Sequence, residues 1–199
     1  MRKTLLLIII FLNLQVFHSC KKSYSTSELK ANFTTEQIAD LNEIREFFKK
    51  ELCDSDFKTC FEKPNHESLQ ANSVGIWTKI DFDEQKKLYK KISESTFNEI
   101  WMFCETTYYP SKIKAHSLCA VATGKYQKYL TDFGKKNPRI AEYAEKIEAS
   151  GDFSNLYLQY YEILNHKSLY DLNDPNIQLI LAIHHLSLKD QITRNAHLI

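Results

Sequence analysis

His184 and His185 stand side by side in the run Ile177-Gln178-Leu179-Ile180-Leu181-Ala182-Ile183-His184-His185-Leu186. Imidazole is the side chain best suited to move a proton near neutral pH or to hold a metal ion. Their spacing argues against joint use, because adjacent residues on a helix point about a quarter turn apart and do not converge on one ion. His184 follows Ile177, Ile180 and Leu181 on one face, so it is expected to point inward and to bond a backbone carbonyl or a tyrosine. His116 and Cys119, three apart on an expected helix with Cys104 nearby in sequence, would set imidazole and thiolate on one face. A structural zinc site needs four ligands, and no Cys-x-x-Cys or His-x-x-x-His completes the set. Nucleophilic catalysis by cysteine needs a thiolate and an ordering partner, and the sequence identifies neither. Acidic residues are spread over exposed helix faces, as Glu142 with Lys146 four residues on illustrates. No Gly-x-Gly-x-x-Gly, Gly-x-Ser-x-Gly or phosphate-binding loop occurs. No catalytic residue, metal ligand or cofactor is assigned.

The first twenty residues run from Arg2 and Lys3 through an unbroken apolar stretch, Leu5 to Leu12, to Phe17-His18-Ser19-Cys20. A charged head, a short apolar middle and a small residue before a cut site make a secretory signal. The apolar stretch is shorter than the ~20 residues that span a bilayer. The segment resembles a bacterial lipoprotein signal, in which a small residue precedes a cysteine that is lipidated and becomes the mature N-terminus. Ser19 and Cys20 fill those places, while Phe17 and His18 depart from the pattern ahead of them. The resemblance implies removal of residues 1–19, a fatty-acylated Cys20, and attachment to a membrane of a bacterial cell envelope. The alternative is an ordinary cut near Ser23-Tyr24-Ser25, which would give a secreted or periplasmic soluble protein.

Five cysteines are an odd number for an exported chain. With Cys20 carrying lipid, Cys53, Cys60, Cys104 and Cys119 remain, enough for two disulfides in an oxidising compartment. Proximity favours Cys53 with Cys60 and Cys104 with Cys119 among the three connectivities that four cysteines allow. Buried thiols are the alternative. Two aromatic clusters stand out, Trp101 with Tyr108 and Tyr109, and Tyr157 with Tyr160 and Tyr161. Tyrosine and tryptophan suit surfaces that are apolar at one end and wet at the other, as at binding sites. Helix packing accounts for them equally well.

The elements that must position these residues are mostly helical, because four glycines and four prolines in 199 residues are too few for the turns of a sandwich or barrel. Residues 20–33 read as the lipidated cysteine and a polar tether, and 34–199 as one all-α domain of about six to seven helices. Thr34 with Gln37 makes a capping box before a helix over 35–52. Residues 73–80 are compatible with a short strand. Asp81 with Glu84 starts a long helix that ends before Pro110, with a break near Ser93–Thr96. Another helical stretch runs from Ser111 to Phe133, interrupted at Gly124, with Gly134 as a left-handed cap. Asn137-Pro138 opens a helix that ends at Gly151, and Phe153–Leu164 and Ile177–Leu188 follow, the last opened by Asp174-Pro175.

Twenty-six basic against 25 acidic residues give a formal charge of +1, so there is no basic surplus to displace counterions from nucleic acid. The chain is expected to be a membrane-tethered, helical interaction protein with a protein partner and no nucleic-acid partner. The alternative is an envelope hydrolase whose site is assembled from dispersed histidines and acids.

Overall fold

The computed structural model describes residues 24–52, 56–62, 76–108, 110–153 and 158–196. Residues 1–19, Cys20, Cys53, Tyr109 and Tyr157 lie outside the described residues, as does the side chain of Tyr108. Among the described residues the chain is mostly helical, with one two-stranded antiparallel sheet. No described helix is long and apolar enough to cross a membrane.

Within the segment 20–33, expected as a polar tether, residues 27–32 are helical. Ser27–Asn32 forms a helix, α1, whose first turn is capped by Thr26, its hydroxyl accepting from the Leu29 N–H at 3.2 Å. Leu29 and Phe33, four apart, are both buried and carry the segment onto the core. Just upstream, the Tyr24 N–H donates to Asn42 Oδ1 at 3.1 Å and Asn42 Nδ2 donates back to the Tyr24 carbonyl at 2.8 Å.

Helix α2, Thr35–Leu52, begins at the expected capping box. The Gln37 N–H donates to the Thr34 hydroxyl and the Thr34 N–H to Gln37 Oε1, both at 3.2 Å. Ile38, Leu41, Ile44, Phe48 and Leu52 form its buried stripe. A short helix α3, Phe57–Phe61, follows. Residues 76–79 are a 3-10 turn rather than a strand. Asp81 caps α4, Phe82–Lys91, through the N–H groups of Asp83 and Glu84. The anticipated break falls at Ser93, which caps α5, Glu94–Ile100.

The largest departure from the expected helices comes next. Trp101–Tyr108 is strand β1 and Ile113–Ala120 is strand β2, paired antiparallel from Trp101↔Ala120 to Tyr108↔Ile113. Thr106, Thr107 and the aromatic residues favour a pleated surface, and Pro110 lies in the turn that joins the strands. Helix then resumes only at α6, Lys125–Gly134. Gly134 is not a left-handed cap, since Gly151 is the one glycine with positive φ among the described residues. A Cβ on Gly134 would sit 2.8 Å from the Ala141 Cα, so the missing side chain lets the next helix approach. That helix, α7, Pro138–Ser150, is capped by Asn137 and closed by Gly151, as expected. The helix expected over 153–164 is described only as α8, Tyr160–Asn165.

The last helix, α9, spans Pro175–Arg194 and is capped by Asp174. Every residue from Asn176 to Ser187 is buried. A helix enclosed on all sides needs apolar residues all round, and Ile177, Leu179, Ile180, Leu181, Ile183 and Leu186 supply them. Around this axis pack α2, α4, β2 and the 3-10 turn. The base of the hairpin is tied to the same axis and to the end of α7. Gln191 Nε2 donates to the Leu118 carbonyl at 2.9 Å, Asn195 Nδ2 to the His116 carbonyl at 3.0 Å, and the Ala120 N–H to the Gly151 carbonyl at 2.8 Å.

Candidate functional site

Two places combine chemistry-bearing residues with an unusual setting: the hairpin β1–β2, and the centre of α9.

On the hairpin, Cys104 faces Ser117 across the ladder and Cys119 faces Met102, which puts both cysteines on one face, diagonally opposed. They form a disulfide with Cα atoms 5.9 Å apart, within the ordinary range. Cys60 is disulfide-bonded too, and its expected partner Cys53 lies outside the described residues. The strand register overturns the His116–Cys119 reading, because residues three apart on a strand point to opposite faces and Cys119 is spent on Cys104. Among the described residues no group of three metal-binding side chains converges.

The base of the hairpin is apolar and fixed. Trp101 is fully buried, its indole N–H donating to the Ser187 hydroxyl at 2.8 Å. Tyr89, Phe97 and Trp101 pack edge to face or tilted with ring centres 5.3–5.4 Å apart. Burial pushes the Tyr89 hydroxyl well above its ordinary range, so it stays protonated. Phe103 continues this aromatic row into solvent, with 60 % of its surface exposed, against Phe97 on one side and the Arg194 guanidinium 5.1 Å away. Arg194 is held there by two bonds of 2.8 Å to Asp190, which itself is fully buried. Those bonds raise the Arg194 pKa further, so its charge is permanent.

Met102 is 50 % and Ile113 40 % exposed on the other face of the hairpin. Beside Phe103, on its own face, Glu105 pairs with Lys114 at 2.7 Å and lies 3.8 Å from His116 Nε2. The Lys114 hydrogen bond holds the Glu105 carboxyl below its usual range. The hairpin is thus a clamped ribbon with apolar side chains on both faces, Met102 and Phe103 near its base and Ile113 at its tip, and a small charged cluster on one face.

In α9, His184 and His185 are 0 % and 1 % exposed. The Tyr143 hydroxyl and His184 Nδ1 share a hydrogen bond of 3.2 Å, the tyrosine partner expected from sequence. His185 stacks flat on Phe48, ring centres 5.7 Å apart, and also meets Phe61. His184 Nε2 and both His185 nitrogens have no hydrogen-bond partner among the described residues. Burial drives His184 down to about 3, against a smaller opposing pull from Asp152, and takes His185 well below its ordinary value. Both rings are neutral and closed off, which does not suit them to act on a substrate.

The aromatic residues expected at a binding surface divide. Trp101 and Tyr160 are core residues, the latter donating its hydroxyl to the Phe61 carbonyl at 2.9 Å. Tyr161 is exposed. Met102, Phe103 and Ile113 are exposed instead, and they were missed because the segment reads as helical. Their signal was the density of aromatic and β-branched residues on either side of Pro110. No family model, curated protein or solved structure matches the chain.

Proposed function

We propose that the protein is an exported, lipid-anchored binding protein of a bacterial envelope that engages a protein partner through the β1–β2 hairpin. The observation that carries the reading is the disulfide-clamped ribbon with Met102, Phe103 and Ile113 exposed on it. Exposed large apolar side chains grouped on one rigid element are typical of contact surfaces. A clamp lowers the ordering cost of association. The signal-like N-terminus with Ser19-Cys20 supports the address and the anchor. The titratable groups that would serve a hydrolase, His184 and His185, are enclosed in the core, so binding is preferred over catalysis.

The test is in-cell photo-crosslinking from a benzophenone side chain at position 103 or 106, with position 87 on α4 as control. A discrete adduct from the hairpin positions, lost when Cys104 and Cys119 are both changed to Ser, is the expected result. Adducts of equal yield from position 87, or none from the hairpin, would remove the proposal. The anchor is tested separately: Cys20→Ser should release the protein from membranes and abolish labelling by a fatty-acid analogue.

A further inference from the structure

Two adjacent histidines in the buried run 176–187 of α9 take no part in the proposed binding. Apolar side chains could fill most of that space with fewer unpaired polar atoms, since three of the four ring nitrogens lack a partner among the described residues. Leaving buried polar groups unsatisfied costs stability. The rings sit at a junction: Tyr143 of α7 meets His184, while Phe48 of α2 and Phe61 of α3 enclose His185. The rings themselves meet edge to face at 4.9 Å.

We propose that His184 and His185 form an acid-labile latch, in which mild acidification favours a form where α9 has left its seat against α2, α3 and α7 and both imidazoles have taken up protons. The geometry allows no easy protonation in place. Protonated His184 carries an N–H on both ring nitrogens, and the one at Nε2 has nothing to receive it; protonated His185 has two such groups between phenylalanine rings. The two charges would also lie in neighbouring rings and repel.

The charged and titratable groups on the surrounding elements do little to offset this. From α7 come Tyr143 and, in the turn after it, Asp152, whose charge favours protonated His184 but is outweighed by burial. Tyr126 of α6 lies behind Tyr143, and burial keeps both tyrosines protonated. On α2, Arg45 pairs with Glu46 and covers the Tyr24 ring, near Pro175 and Leu179 at the far end of α9. On α4, Gln85 bonds the Leu186 carbonyl and Tyr89 is neutral. On β2, His116 and its Glu105 neighbour are exposed. Asp190 is tied to Arg194.

The sign follows from linkage. Folded-state pKa values below the ordinary imidazole value mean that the unfolded form binds more protons in acid, so the stabilisation is complete above about pH 6.5 and is lost as pH falls below it. Between pH 7 and 5 the unfolding equilibrium constant should rise about 25-fold for each histidine and about 600-fold for the pair.

Denaturant unfolding of the full chain across that range measures this directly. His185→Phe, which keeps the stack on Phe48, and His184→Gln, which keeps an acceptor for Tyr143, should each reduce the rise to about 25-fold. A rise below about 5-fold in the unaltered chain, or one that both core variants retain in full, would overturn the proposal. Should a core variant fail to fold, the ring resonances of the unaltered protein decide by NMR: native imidazoles that remain neutral at pH 5 support the latch, and native titration near pH 6.5 refutes it.

Discussion

The centre of α9 and the hairpin invert each other. One buries polar rings with three of their four nitrogens unpaired; the other holds apolar side chains in water. In each, a local rule is broken by several residues of one element, and such breaks concentrate at places that serve something other than stability. The means of support differ as well. The core site is held by non-covalent packing on all sides, while the hairpin relies on the Cys104–Cys119 crosslink and on anchors at its base.

That contrast predicts that truncating an apolar side chain is costly in α9 and cheap on the exposed faces of the hairpin. Leu181→Ala, in the fully buried run of α9, should cost about 2–5 kcal/mol in denaturant unfolding, through lost apolar transfer and the cavity left behind. A loss below about 0.5 kcal/mol would place α9 at the surface. Changing Cys104 and Cys119 together to Ser should cost about 2–3 kcal/mol, the scale expected when a closed loop of this length is opened, and should raise amide exchange in β1 and β2 before α9. Equal exchange in both regions would show that the hairpin does not depend on its clamp.

Tyr143→Phe sharpens the core side of the comparison. It strands His184 Nδ1 in the interior, and a loss of about 1–3 kcal/mol is expected, with thermal or denaturant midpoints as the readout. The smallest effect belongs to Phe103→Ala, which should change stability by no more than about 0.5 kcal/mol, as is usual for surface positions, yet should abolish the crosslink made from position 106. A large destabilisation there would mark Phe103 as a structural residue and weaken its role as a contact.

How legible each region was follows from how local its determinants are. The starts of α2, α4, α7 and α9 could be read because a cap is written within three or four residues, as Thr34 with Gln37 and Asp174-Pro175 show. The hairpin could not be read the same way. Its pairing joins Trp101 to Ala120, and spacings such as Leu118, Val121 and Ala122 imitate a helical face. The Cys104–Cys119 pairing was nevertheless legible, because proximity in sequence does not depend on knowing the element. Helix α1 escaped notice since one turn and a half of Ser-Glu-Leu-Lys-Ala-Asn has too little periodicity to compete with its polar composition. Which aromatics face water was illegible for a further reason. Trp101 and Phe103 share a face and a chemistry, and they differ only in distance from the helical body.

The tie between Tyr24 and Asn42 sets the length of a leash. On the proposed attachment at Cys20, four peptide units separate the lipid from that tie, and fully extended they reach no more than about 14 Å. A domain of this size is roughly 40 Å across, so on that attachment it would stay against the bilayer. Of the partners that could meet the hairpin, those lying in or close to the same membrane would then be favoured by geometry alone, because the leash confines both to a thin layer and raises their effective concentration.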